Sequence, residues 1–106
     1  MVRLTSCVMA ISLLAAPAMA QSAGEKVYAE QKCSLCHAIA GKGNAKGALD
    51  QVGSKLSADE IRAWITDAKG MTAKTKAARK PEMKVYTLEK SDVDALVTYL
   101  SALKKK

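Results

Sequence analysis

Cys33-Ser34-Leu35-Cys36-His37 is the segment of this chain whose residue types and spacing could do chemistry. In C-x-x-C-H, one helical turn presents two thiols to the two vinyl groups of a single porphyrin, and the histidine is then held under the iron as an axial ligand. This is the attachment signature of a c-type haem. Three other readings compete for the same residues. A thioredoxin-like redox pair needs a βαβ context, and no alternating apolar pattern long enough for a strand is present. A zinc site wants four ligands, but His37 is the single histidine, and the third cysteine, Cys7, lies in the apolar start of the chain and not beside the pair. Two buried cysteines beside a chance surface histidine would leave adjacent free thiols and nothing filling the middle of the domain.

The second axial position follows partly by elimination. With His37 unique, a bis-histidine haem is excluded. Met1, Met9 and Met19 lie in the first twenty residues, which leaves Met71 and Met83. Thioether sulfur opposite histidine is the pair that raises a haem's reduction potential. Lys74, Lys76, Lys80 and Lys84 could ligate only after losing a proton. Met83 is favoured, because Pro81 stiffens the chain just before it and a helix starts soon after. Met71, directly behind Gly70, reads instead as packing against the helix of Trp64, although gap-filling in a core is the alternative role for either methionine.

These residues need elements to hold them. Ser22-Ala23-Gly24-Glu25 has the form of a capping box and predicts a helix starting there and running toward Cys33, with Tyr28 one turn beyond Gly24. From Gly41 to Gly53, four glycines and Asn44 predict a loop. Ser57-Ala58-Asp59-Glu60 repeats the capping box, and Ile61, Trp64, Ile65 and Ala68 follow at helical spacing up to Gly70, read as the stop. Met71 to Thr87 carries Pro81, many lysines and no apolar period, so it reads as a second long loop. Val93, Leu96, Val97, Leu100 and Leu103 mark a final amphipathic helix, with Tyr99 at its flank and Lys104 to Lys106 near the end, where positive charge suits the helix dipole. Loops of that length are uncommon in a bare domain unless they serve a site.

Composition sets the same requirement from another side. The chain has 106 residues, 49% of them apolar, but no Phe and only 4% aromatic. Fifteen of the first 20 positions are apolar, and 14 of the apolar residues after them are Ala. So short a chain with so few large side chains needs a filler such as a cofactor. The apolar start reads as a signal peptide: Arg3 precedes the stretch Cys7 to Ala16, and Ala18-Met19-Ala20 offers the small residues for cleavage near Ala20-Gln21. Residues 1–20 are thus expected to be removed on export to the periplasm or beyond, leaving a domain of 21–106. The net charge of +7 falls to +6 when Arg3 leaves. No apolar run in the body is long enough to span a bilayer, so stable membrane insertion is not expected. There is no aromatic platform for nucleic acid either.

In the order of these pieces the chain resembles the class I c-type cytochromes, over essentially all of residues 21 to 106. Gly24 and Tyr28, Cys33 to His37, the glycine loop, a central helix, Met83 three residues before Tyr86, and Leu96-Val97-Thr98-Tyr99-Leu100 stand in the family's order. The resemblance implies an all-α, cytochrome c-like fold: about three main helices and long loops around one covalently bound haem c. It also implies a close crossing of the first and last helices at Gly24, with Tyr28 and Tyr99 beside it. Where the family often has proline, this chain has Ala48 after Gly47 and Lys84 after Met83. The first bears on the loop carbonyl near Ala48 that would orient His37, the second on the stiffness of the Met83 loop.

A six-coordinate haem leaves no open position for a substrate, which favours electron transfer over bond chemistry and an absence of catalytic residues. The expected protein is a monomeric carrier on which Cys33 and Cys36 hold the haem and His37 and Met83 ligate iron. Its expected partners are redox proteins with acidic docking surfaces, matched to the lysines around Met83. The alternatives are a ligand-binding haem protein, a sensor or weak peroxidase with a labile Met83, and a subunit permanently docked to a dehydrogenase.

Overall fold

The computed structural model describes residues 16–104. Among them are five α-helices: α1 (Ala16–Glu30), α2 (Val52–Lys55), α3 (Ala58–Thr66), α4 (Ala68–Thr75) and α5 (Lys90–Ser101). A small antiparallel hairpin pairs β1 (Ala38–Ile39) with β2 (Lys42–Gly43), and 3-10 turns occupy Cys33–Leu35 and Ala45–Gly47. The all-α class holds. None of the helices is long and apolar enough to cross a membrane among the described residues. Arg3 and almost all of the apolar stretch read as a leader lie outside the described residues, as do Lys105 and Lys106.

α1 does not begin at Ser22. It starts at Ala16 and passes through the Ser22–Glu25 stretch without a break. Alanine is the strongest helix former and proline is tolerated in the first turn, so Ala16 to Ala20 propagates the helix upstream. A capping box marks a boundary only where the preceding residues leave the helix.

The second capping box does mark one. The Ser57 hydroxyl accepts from the Glu60 N–H at 3.1 Å, and the Glu60 carboxylate accepts from the Ser57 N–H at 3.1 Å, which opens α3. The predicted stop at Gly70 is corrected to Asp67, whose own side chain caps the next helix by accepting from the Gly70 N–H at 3.2 Å. Aspartate favours this cap because its short carboxylate competes for backbone donors. α4 therefore takes in Met71, and the loop predicted from Met71 shortens to the segment after Thr75. Sequence periodicity could not find α4, whose residues Ala68-Lys69-Gly70-Met71-Thr72-Ala73-Lys74-Thr75 form no apolar stripe.

The core lies where α1 and α5 cross, closed on one side by α3. Val27 of α1, Ile61 and Ile65 of α3, and Val93, Leu96, Val97 and Leu100 of α5 form one buried cluster. Tyr28 and Tyr99 meet edge to face at the crossing, with ring centroids 6.1 Å apart, a favoured aromatic geometry. The predicted close approach at Gly24 is present: a Cβ there would run into Tyr99 Cβ and the Ala95 carbonyl oxygen of α5. Between α3 and α5, Arg62 pairs with Asp94 at 2.7 Å. Lys90 reaches the same carboxylate at 2.9 Å, and both cations hold it below the usual aspartate range.

Gly24→Ala tests the crossing. Helix propensity alone would favour the alanine by about 1 kcal/mol, but the added methyl meets a backbone carbonyl that cannot rotate away. Overpacking of this kind costs about 1–3 kcal/mol, so thermal melting should show a net loss of stability. A raised melting temperature would show that the two helices are not held this close.

Candidate functional site

Beneath the α1–α5 crossing lies a cavity of about 510 Å³, within the range of cofactor clefts. Its walls continue the core: Ile61, Ile65, Leu96 and Leu100 belong to the buried cluster and also line the cavity. Leu49, Val52 and Leu56 add to the lining from the glycine loop and α2. Trp64, half-buried, stands in the wall rather than in the core cluster, as its place on the α3 stripe suggests. Cys33, Cys36, His37 and Met83 all line this one space. Met71 does not; it is a buried residue of α4 at 9% exposure.

The C-x-x-C-H segment is wound by its own backbone. Leu35 N–H donates to the Lys32 carbonyl at 3.1 Å, and the Cys33 carbonyl accepts from Cys36 N–H at 3.1 Å and from His37 N–H at 2.9 Å. Asn44 clasps the segment from outside. Its N–H donates to the His37 and Ser34 carbonyls at 3.0 and 3.2 Å, while its side-chain oxygen caps the 3-10 turn Ala45–Gly47. The hairpin and a bond from Leu49 N–H to the Ala38 carbonyl at 2.8 Å bring that turn back under the histidine.

There Gly47 sets the imidazole. Nδ1 of His37 lies 2.9 Å from the Gly47 carbonyl oxygen. A carbonyl can only accept, so Nδ1 carries the proton and the neutral ring keeps its lone pair on Nε2. The orienting carbonyl expected near Ala48 belongs to the residue before it. Burial pushes the His37 pKa down, the Gly47 bond opposes this, and the Arg79 charge adds to the depression. The ring is thereby held as a neutral donor, the form a metal requires.

The two cysteines are unpaired thiols, Cys33 half-buried and Cys36 exposed. Burial raises the Cys33 pKa above its ordinary value. Tyr28, between the cavity and the helix crossing, is pushed up to about 12, first by burial and then by the neighbouring Cys33. Its buried hydroxyl has no hydrogen-bond partner among the described residues. Burial also raises Tyr86, which lines the cavity three residues after Met83. Lys84 stands 5.1 Å over the Tyr86 ring and also borders the cavity, whereas Lys74, Lys76 and Lys80 do not.

Sequence reasoning missed Arg79. Its guanidinium Nη2 donates to the Cys36 carbonyl oxygen, 43 residues away in sequence, and it borders the cavity. No local pattern could have revealed so distant a contact.

The donor set fits a haem better than a metal ion alone. Two thiols, one Nε2 lone pair and one thioether face a single apolar space. Among the described residues, no three His, Cys, Asp or Glu side chains group so as to hold a metal ion. A family model described as Cytochrome c matches residues 21–104. Comparison with curated proteins and with solved structures gave no match.

Gly47→Ala tests the seat of His37. A Cβ at this position would strike the Cys36 carbonyl and the Arg79 guanidinium, so the turn must move away from the histidine it orients. The expected cost is about 1–3 kcal/mol in melting, with faster solvent exchange of the His37 Nδ1 proton by NMR. An unchanged proton would show that the carbonyl bond does not depend on this close approach.

Proposed function

Since the chain belongs to the cytochrome c family through residues 21–104, and is a haem-based electron-transfer protein with one covalent haem c, we propose the specific assignment of its ligands and partners. Cys33 and Cys36 form the two thioether links, and His37 and Met83 ligate the iron. Leader residues 1–20 are cleaved near Ala20-Gln21, and the domain 21–106 works in the periplasm or an equivalent exported compartment as a diffusing monomeric carrier rather than an enzyme. The observation that carries this reading is the convergence of these four side chains on one apolar cavity.

When bound, the haem supplies one-electron chemistry at its iron. The chain's own residues do the rest. Gly47 holds the His37 ring with Nε2 unprotonated, and the apolar walls from α3 and α5 exclude water. A neutral histidine and a thioether add no negative charge to the site, a pair that favours a raised reduction potential. With His37 and Met83 both committed to holding the iron, the site would have no place for a substrate, which supports electron carriage over bond chemistry.

The rim of the cavity supports the partner assignment. Leu35 is 71% exposed and borders the cavity, and Val85 beside Lys84 is 56% exposed. Lys32, Arg79 and Lys84 stand around the same opening. An apolar centre with a basic surround suits an acidic partner, steering the encounter while the apolar side chains lose water on contact. Lys74 and Lys76 belong to α4 and its cap, and Lys80 is paired with Glu82 at 3.0 Å. The steering charge of the Met83 loop thus falls chiefly on Arg79 and Lys84.

Met83→Ala should abolish the near-infrared sulfur-to-iron absorption of the oxidised protein and lower its potential. Met71→Ala should leave the band in place and cost about 2–5 kcal/mol of stability as a buried side chain is truncated. The reverse pattern would move the ligand to Met71, and persistence of the band in both would reject a methionine ligand.

Charge reversal at Lys84 should slow bimolecular electron transfer with an acidic partner and flatten its dependence on ionic strength, with little change in potential. Steering acts over a Debye length of about 10 Å at 0.1 M salt. Superimposable rate curves for wild type and variant would show that Lys84 does not guide docking.

A further inference from the structure

Segment 78–88, between α4 and α5, carries Met83 yet has few ties to the rest of the chain. Lys80 bonds to Glu82 within the segment, and Lys84 stands over Tyr86, also within it. The Ala77 N–H bond just before it closes the end of α4. Leu88, at the segment's end, packs against the buried core, while Pro81, Met83 and Tyr86 face the cavity, so their packing depends on what fills it. Among the described residues, the bond from Arg79 to the Cys36 carbonyl is the one hydrogen bond that fastens this segment elsewhere. It lands inside the C-x-x-C-H motif itself.

The other arm of the guanidinium completes the contact. Nη1 of Arg79 lies where a Cβ on Gly47 would fall. One planar fork therefore touches the two stretches that carry the cysteines and the histidine-orienting carbonyl. A lysine has the charge but one point of attachment, and cannot reproduce this geometry.

We infer that Arg79 is the clasp of the Met83 loop: by fastening segment 78–88 to Cys36 and Gly47 it keeps the loop closed over the cavity and sets how readily an outside ligand displaces Met83. Arg79 is a positioning residue in this role, acting through the loop and not on the iron, and the inference rests on the reading of Met83 as a ligand. The physical link is population. An outside ligand reaches the iron only when the loop is open, so its apparent affinity is its intrinsic affinity multiplied by the open fraction. Removing one exposed, charge-assisted hydrogen bond raises a small open fraction about three- to tenfold.

The test uses the haem-loaded protein, imidazole as the displacing probe, and hydrogen exchange of the amides of 78–88. Arg79→Gln should bind imidazole about three- to tenfold more tightly, with faster exchange confined to that segment and unchanged protection in α1 and α5. Arg79→Lys, which keeps the charge and loses the fork, should also bind more tightly than wild type. Should Arg79→Gln fail to accumulate folded, Arg79→Lys carries the same measurement. Unchanged imidazole affinity and exchange overturn the inference, and so does wild-type behaviour of Arg79→Lys, which would assign the effect to charge alone. Met83→Ala separates the two readings. If it leaves the near-infrared band intact, Met83 is not the ligand and the displacement role falls with it, whatever the exchange of the loop; if it removes the band while Arg79→Gln behaves as wild type, only the clasp is lost.

Discussion

The structure depends on an apolar surface that the chain cannot cover with its own side chains. Ile61, Ile65, Leu96 and Leu100 serve twice, as members of the buried core and as the wall of the cavity. The chain itself already holds these four at 3–7% exposure, but Leu49, Val52, Leu56 and Trp64 line the same cavity only half-buried. Whatever occupies the cavity covers this second set and backs the first, so it is structural as well as functional. The shortage of large side chains in the composition and the presence of an attachment motif have one explanation: the haem supplies the volume that Phe and Leu supply elsewhere.

This constraint also explains where the chain spends its specific contacts. α1 and α5 cross closely at Gly24, which lets Val27 and the α5 stripe form a thin layer over the cavity without further material. The segment from Cys33 to Leu49 is organised differently. Its large apolar side chains are few, Leu35, Ile39 and Leu49, and it is held by a dense set of short-range bonds around Asn44, Ala38 and Gly47. Apolar burial positions the helices, and hydrogen bonding positions the donors. The division follows from physics: dispersion and the hydrophobic effect are non-directional, whereas an imidazole ring is oriented only by a directional bond.

What was legible in the sequence follows the range of the interaction concerned. The Ser57–Glu60 box is two hydrogen bonds within four residues, and it opens a helix where the sequence predicts. The α5 stripe is a periodicity, and Val93, Leu96, Val97 and Leu100 are buried as that period requires. The C-x-x-C-H motif and the Met83–Tyr86 pair are patterns of residue type, and both lie on one cavity. The failures are equally orderly. Ser22 and Glu25 could cap a helix, but an alanine-rich stretch before them continues it instead. Gly70 looks like a terminator by type, and the decision belongs to Asp67, which needs the Gly70 N–H for its own cap. The hairpin is two residues a side, too short for any alternation to register.

Arg79 lies beyond this range altogether, and its position bears on how the site can be both tight and labile. The His37 side is fixed by a short loop with bonds at several points, so one broken bond there is compensated by its neighbours. The Met83 side has no such redundancy: its local contacts, Lys80 with Glu82 and Lys84 with Tyr86, are internal to the loop and move with it. With His37 and Met83 as the proposed ligands, sides of such unequal rigidity would favour one order of events, in which the thioether yields before the imidazole. The absence of proline after Met83, where Lys84 stands, points the same way, because a flexible residue there leaves more open conformations accessible. The asymmetry resides in the number of independent hydrogen bonds holding each side, and it can be altered on one side without disturbing the helices that carry the core.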